Sequence, residues 1–397
     1  MEPTGNGSRT PTILQIVPQL VEGGVERGTT DIARYLTEQG WRALVTSAGG
    51  PLESEIRAAG LANLPMPLHS KNPLVMARNV QRLQRLIRGL GVDLVHARSR
   101  APAWSAYHAA RRCGVPFVTT FHSVYSGRSW SPKRRYNAIM TRGERVIAIS
   151  EYVAQHMRET YGVPGKRVRV ISRGVDLEQF DPAAVSQERI AKLAAQWGLQ
   201  PGGKPVVMLP ARVTRRKGHL LLLDALQRIA NRDIRCLLVG GTEPRSKYPA
   251  EITQMIQQSG LEQMVDVVGS CDDMPAALML ADVVVAPSIT PEAFGRMPIE
   301  AQAMGKPVIV TDMGALSETI MPAATGWVVP PNNADELAQA LDLALAMPDD
   351  ARERVATRAR NFVERSFTLD RMGHKTMAVY RELLQSASAG VATESSG

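Results

Sequence analysis

The stretch ADVVVAPSITPEAFGRMPIEAQAMGKPVIVTD, residues 281–312, decides the fold. It opens on ADVVVAPS, a short apolar run of strand type. A turn follows, then IEAQAMG with helical character, then the β-rich KPVIVTD. Strand, helix and strand within about 30 residues make a βαβ unit, and βαβ units build parallel sheets. Two carboxylates, Glu292 and Glu300, stand eight residues apart across Gly295, where strand gives way to helix.

The same alternation runs outward in both directions. In the second half of the chain, PVVMLPARV (205–213), IRCLLVGG (234–241), MVDVVGS (264–270) and GWVVP (326–330) read as strands. LLLLDALQRIA, AEITQMIQQSG and MPAALMLA read as the helices between them, with further helices near 334–347, 350–365 and 370–385. In the first half TILQIVPQ, RALVTSAG, VDLVHAR, VPFVTTFH and ERVIAIS alternate with DIARYLTEQ, NVQRLQRLIRGLG, HAARRCG and EYVAQHMRETYG. The pattern breaks only at SRGVDLEQFDP, which lacks periodicity and reads as a crossing between domains. The expectation is α/β: two doubly wound, Rossmann-like parallel-sheet domains that face each other. Ligands of such sheets bind beyond the carboxyl ends of the strands, so both sets of loops would share one cleft.

A chain of 397 residues suits two domains. Its 44% hydrophobic and 21% charged residues are those of an ordinary globular protein. No apolar run reaches the roughly 18 residues of a membrane span, and the polar start MEPTGNGSRT has no signal-peptide core. The three cysteines, Cys113, Cys236 and Cys271, lack metal-type spacing and point to a reducing cytoplasm. Charge is uneven: residues 1–177 carry 25 Lys and Arg against 12 Asp and Glu, and the rest carry 22 against 26. A basic first half suits an anionic partner, or is simply a solubilising surface.

The loops after strands hold the candidate chemistry. In VEGGVERG (21–28), Gly23 and Gly24 permit positive φ and close approach, and a helix opening nearby would aim N–H groups at an anion. This is not the GxGxxG dinucleotide fingerprint. In PARVTRRKG (210–218), Arg212 and Lys217 offer a bidentate fork and a point charge for a diphosphate, with Arg215 and Arg216 as alternatives. In EAFGRMPIE, Gly295 permits a tight turn and the next residues open a helix whose dipole favours phosphate. Glu300, inside that helix, can accept from the two vicinal hydroxyls of a ribose. Paired-carboxylate hydrolysis fits this context less well than a two-ended grip on one ligand. His122, ending TTFH, could hydrogen-bond a substrate hydroxyl or be structural, and His96 is a weaker candidate of the same kind. No Walker, HExxH or Asp-x-Asp pattern occurs, so neither a metal nor a cofactor is expected.

Together these segments resemble the family 4 retaining glycosyltransferases of the GT-B fold. The likeness is carried by GGVE, FH at 121–122, AISEYV at 148–153, GVD at 174–176, ARVTRRKG at 211–218 and PSITPEAFGRMPIEAQAMGKPVIVTDMGALSE at 287–318, which holds a Glu-x7-Glu motif. The resemblance implies an acceptor-binding domain over 1–177 and a nucleotide-sugar domain over 178–368. A helix over 369–385 would cross back to the first domain, and 386–397 would be a disordered tail. It implies that Arg212 and Lys217 hold the donor diphosphate, Glu300 the ribose and Glu292 the transferred sugar. Gly23, Gly24, Phe294, Gly295, Arg296 and Met297 would line the donor, and the loop with Cys271 and Met274 would sit by the base. Glu26, His122 and Ser150 would face the acceptor, with His122 near the reacting centre as a catalytic candidate beside Arg212, Lys217 and Glu292. Arg173 departs from the family pattern, which often has Asn there, and would bind an anionic acceptor or pair at the crossing.

The implied reaction moves a sugar from a nucleotide diphosphate sugar to an acceptor hydroxyl with retention. Arg212, Lys217 and a helix N-terminus would stabilise the leaving diphosphate. Arg78, Arg82 and Arg85 at helical spacing, and Arg128 with Lys133, Arg134 and Arg135 interleaved with Trp130 and Tyr136, suit anionic lipid at the inner membrane face. The acceptor would then be lipid-linked or of lipopolysaccharide type. Two rivals share the fold: a nucleotide-sugar epimerase and a non-catalytic nucleotide-sugar-binding subunit. A nucleic-acid partner is disfavoured, because no recognised module accompanies the basic half.

Overall fold

The central strands of both halves are buried end to end, as parallel strands covered on both faces must be. The computed structural model describes residues 9–394 apart from 22, 59, 126–130, 201 and 244. The chain divides into two units: one holds residues up to Ser172 and from Asp370 onward, the other Arg173–Leu369.

The first unit runs β1 (Thr12–Ile16), α1 (Gly24–Glu38), β2 (Arg42–Ser47), α2 (Glu53–Ala58), β3 (Asn63–Pro65), α3 (Pro73–Leu90), β4 (Leu94–Ala97), α4 (Arg100–Cys113), β5 (Phe117–Phe121), α5 (Pro132–Asn137), β6 (Arg145–Ala148), α6 (Glu151–Tyr161) and β7 (Val168–Val170). Its seven parallel strands lie in the order β3-β2-β1-β4-β5-β6-β7. The second unit runs α7 (Gln187–Gln196), β8 (Val206–Pro210), α8 (His219–Leu226), β9 (Arg235–Val239), α9 (Tyr248–Gln258), β10 (Val265–Gly269), α10 (Met274–Leu280), β11 (Val283–Ala286), α11 (Arg296–Ala303), β12 (Val308–Thr311), β13 (Gly326–Val329), α12 (Ala334–Leu345) and α13 (Asp349–Ser366). Its six parallel strands lie in the order β10-β9-β8-β11-β12-β13. In each sheet the winding reverses once, between β1 and β4 and between β8 and β11.

Alternation along the strands divides the second core in two. Val207, Leu209, Cys236, Leu238, Val283 and Val285 face α8, α9 and α12. Val206, Met208, Leu237, Val239, Val284 and Ala286 face α7, α10, α11 and α13. At roughly 1.5–3 kcal/mol for each fully buried Val or Leu, this double covering outweighs any local preference of so short a run as VVVA.

The last helix, α14 (Leu369–Glu394), packs on the first unit from Asp370 onward. Tyr380 is fully buried, with its hydroxyl 2.6 Å from His96 Nδ1 on β4. Glu382 pairs with Arg145 on β6 and, at 2.9 Å, with Arg169 on β7.

Three expectations change. Residues 386–394, expected as a disordered tail, continue α14, where three alanines offset the cost of Gly390. Residues 173–177, expected with the first domain, belong to the second. Val175 N–H donates to Phe367 O at 2.8 Å and Val175 O accepts from Leu369 N–H at 3.3 Å, so the outgoing and returning chains are tied together there. Finally, Gly23 and Gly24 use no positive φ. Gly23 is extended at φ 177° and α1 opens directly at Gly24, seven residues before the first apolar-periodic stretch suggests.

Candidate active site

The switch point of the second sheet brings the two charged loops together. β8 and β11 are neighbours, with Val207 opposite Val283. The loops leaving their carboxyl ends, 211–218 and 287–295, must therefore meet, although about 75 residues separate them in sequence. Ile289 N–H donates to Arg216 O at 3.0 Å, which fixes one loop against the other. Gly218 makes the close approach possible. It has φ +75°, and a Cβ there would overlap Pro287 O.

Glu292 lies at the centre of this contact. Its side chain is 8% exposed and its Oε1 accepts from Lys217 Nζ at 2.8 Å. Arg216 Nη2 lies 3.2 Å from Oε2, and the Ser288 hydroxyl donates at 3.2 Å. The backbone of Glu292 is held as firmly: its N–H donates to Met313 O at 3.2 Å and its carbonyl accepts from Ala315 N–H at 2.8 Å. Gly314 (φ +70°) passes so close that a Cβ would overlap the Glu292 carbonyl. Lys217 has three donors and Glu292 takes one, which leaves the ammonium, 26% exposed, able to hold a second anion.

Around this centre the sequence-expected residues fall into distinct environments. Arg212 is exposed, and its guanidinium takes no protein partner among the described residues. Arg215 pairs instead with Glu251 and lies 5.1 Å over the Tyr248 ring, so its charge is committed elsewhere. Gly295 caps α11 at φ −106°, a conformation open to any residue. Space is what requires glycine there, because a Cβ would come within 2.7 Å of Leu316 Cδ2. Glu300, one turn into α11, pairs with Arg296 at 2.9 Å and remains part-exposed. An ionised carboxylate has about four lone-pair sites, so capacity for hydroxyl donors remains. Phe294 is half-buried against Phe367 at 5.9 Å between ring centroids, and Met297 packs on the same core. Cys271 and Met274 are half-buried on that core too, and burial pushes the Cys271 thiol up.

His219, absent from the sequence reading, supports the basic loop from below. It opens α8, is fully buried, and stands edge-on to Tyr248 at 5.8 Å. Burial pulls its pKa down to about 4, and the charge of Lys217 pushes the same way; the nearby backbones of Thr214 and Ala211 oppose the shift without reversing it. The signal in sequence was a histidine directly after the basic run RRKG, at the start of a helix.

In the first unit, Gly23, Gly24 and Glu26 lie at the start of α1, His122 follows β5 half-buried, and Ser150 follows β6. All stand beyond strand carboxyl ends. The Ser150 hydroxyl is buried and caps α6 by accepting from Val153 N–H at 3.1 Å. His96, the weaker candidate, is a core residue: its two ring nitrogens lie 2.6 and 2.7 Å from Tyr380 and Thr120 hydroxyls. Burial, then Arg98, holds it well below the ordinary histidine range. Arg173 belongs to the second unit and is buried. Of the basic cluster, Arg128 and Trp130 lie outside the described residues; Lys133 and Arg135 are exposed on α5, whereas Arg134 donates to Thr160 O. No group of three or more His, Cys, Asp or Glu among the described residues is arranged to hold a metal ion.

The sequence profile of Glycosyltransferase Family 4 matches residues 22–179, and that of Glycosyl transferases group 1 matches residues 194–362. A glycosyltransferase of known structure from Rickettsia africae is 38% identical, with a TM-score of 0.89 over 95% of this chain and 99% of that one. A D-inositol 3-phosphate glycosyltransferase of Jonesia denitrificans is 29% identical over 314 residues, 75% of this chain and 73% of that protein. HepE of Anabaena, solved in complex with UDP and glucose, shares the fold at 24% identity, with a TM-score of 0.79 over 94% of this chain and 99% of that one. Two matching family profiles, a close structural relative and a paired parallel-sheet architecture agree: this chain belongs to the family 4 glycosyltransferases of the GT-B fold.

Proposed function

We propose that this glycosyltransferase moves a hexosyl group from a nucleotide diphosphate sugar to an acceptor hydroxyl with retention at the anomeric carbon, without a metal ion. One observation carries the reading: Arg212, Lys217, Glu292 and the start of α11 are gathered at the β8–β11 switch point. Cations and free helix N–H groups stabilise a departing diphosphate. In this reading Arg212 and Lys217 hold the two phosphates, Glu300 accepts from the ribose hydroxyls and Glu292 from hydroxyls of the sugar. Glu292, hydrogen-bonded on both oxygens, serves as a positioning acceptor and not as a nucleophile. The acceptor attacks on the face the diphosphate leaves, and a phosphate oxygen takes its proton. Gly23 and Gly24 would reach the donor from the first unit, Glu26, His122 and Ser150 sit beyond strand ends where an acceptor would bind, and buried Arg173 serves an anionic acceptor or the crossing.

The acceptor we infer is lipid-linked or of lipopolysaccharide type, met at the inner membrane face. Arg78, Arg82 and Arg85 are exposed along α3, and no helix of the described residues is long and apolar enough to cross a membrane. A screen of UDP-, GDP- and ADP-sugars with EDTA present, followed by NMR of the product anomer, tests the reaction. UDP-glucose is the first donor to try, since HepE was solved with UDP and glucose. Glu300→Ala should raise KM for the best donor at least tenfold, and an unchanged KM rejects the ribose assignment. Loss of all transfer in EDTA rejects metal independence, and an inverted product rejects retention.

A further inference from the structure

Helices α3 and α4 of the first unit pack together and leave a groove between them. It encloses about 390 Å³, within the ~300–1,000 Å³ usual for small-molecule sites. Met76, Ala77 and Val80 form one wall and Trp104 the other, with His108 and Arg112 one and two turns further along α4. The Ser105 hydroxyl and the Trp104 indole N–H in these walls already have partners. Ser105 donates to Met76 O at 3.0 Å, and the Trp104 indole N–H donates to Tyr136 O at 3.2 Å. An apolar occupant would therefore strand neither of these groups. Leu74, on the same helical stripe as Ala77, is 71% exposed beside the groove.

The helices around the groove carry charge of one sign. Neither α3, α4 nor α5 contains a single carboxylate. Arg78, Arg82, Arg111 and Arg112 are exposed. Burial first, and then Arg112 and Arg111, hold His108 below the ordinary histidine range. An apolar slot edged by exposed cations fits an apolar chain carrying an anionic head.

We propose that the α3–α4 groove binds one acyl chain of an anionic lipid, with the chain between Val80 and Trp104 and the head at Arg112. This extends the membrane-surface reading above and is independent of the donor reading. Dodecyl phosphate below its micellar concentration is the probe, and Trp fluorescence the readout. The expected result is a saturable change, at least tenfold weaker with dodecylphosphocholine and absent with inorganic phosphate. Trp104→Phe should abolish the response. Arg112→Glu and Ala77→Trp, both at exposed positions, should each weaken binding at least tenfold in chains that keep their circular dichroism. A response that does not saturate, that survives Trp104→Phe, or that dodecylphosphocholine matches overturns the proposal. Sedimentation with phosphatidylglycerol vesicles separates the two readings. Dodecyl phosphate binding without sedimentation rejects the membrane reading and keeps the groove, whereas sedimentation without dodecyl phosphate binding rejects the groove alone.

Discussion

Glu292 shows how much one buried carboxylate depends on its neighbours. Lys217 and Glu292 are both largely withdrawn from water, while Arg216 is 51% exposed and contributes as a surface pair does, about 0.2–1 kcal/mol. Lys217 is therefore the dominant partner. Lys217→Met should cost roughly 1–3 kcal/mol of stability by leaving the carboxylate under-satisfied. It should also lower kcat/KM by about 10²–10³, the usual loss of a charge-stabilising donor. The double variant Lys217→Met with Glu292→Gln should regain most of the stability and none of the activity. Recovery of activity in that variant would show that Lys217 acts only through Glu292. Both glutamates and both cations were legible in the sequence. Which cation meets Glu292 was not, because the register of one loop on the other is set by Pro287, Gly218 and Ile289 packing across the β8–β11 junction.

The loop 211–218 works as an element because two demands converge on Gly218. Its φ is +75° and a Cβ would overlap Pro287 O, whereas Gly260, at φ +62°, has nothing within 4 Å of its would-be Cβ. Gly260→Ala should cost about 1 kcal/mol for backbone strain alone. Gly218→Ala should cost at least ~2 kcal/mol more and weaken donor binding, because the loop must lift off the 287–292 segment. Equal unfolding midpoints for the two variants in urea would remove the steric argument. Helix α14 is a second such element. Tyr380→Phe leaves buried His96 Nδ1 without its hydroxyl partner and should cost about 1–3 kcal/mol, read from chemical denaturation. Most helices and strands were legible from apolar periodicity. The three-residue strands β3 and β7 were not, since so few residues show no period.

At the scale of the whole molecule, the buried histidines set the acid limit of stability. His219 titrates near pH 4 when folded, well below the ordinary histidine value, and His96 lies below that value too. Between about pH 6.5 and 4 the unfolded chain takes up a proton at the His219 position and the folded chain does not, and His96 adds to the effect in the same direction. Stability therefore falls as pH falls through that window. His219 alone accounts for on the order of 3 kcal/mol at 1.36 kcal/mol per unit. His219→Phe, which keeps an aromatic ring against Tyr248, should flatten the dependence of Tm on pH between 6.5 and 4. An unchanged slope would mean that the imidazole is hydrated when folded.

The sequence by itself determined the class of the fold and the family. Alternating apolar runs and amphipathic helices admit only wound parallel sheets, and those sheets put ligands beyond strand ends, where ARVTRRKG and PEAFGRMPIE both lie. It also determined the residue types of the donor site, since a diphosphate needs cations and a ribose an acceptor. Tertiary structure alone decided the pairings. Strand order places β8 beside β11 and so joins loops about 75 residues apart. The return of α14 to the first unit carries Tyr380 and Glu382 to β4, β6 and β7. The packing of α3 on α4 leaves an apolar groove beneath arginines that the sequence showed only as a charged stripe. Such choices rest on which buried surfaces meet, and that is a property of contacts between distant segments, which no local pattern encodes.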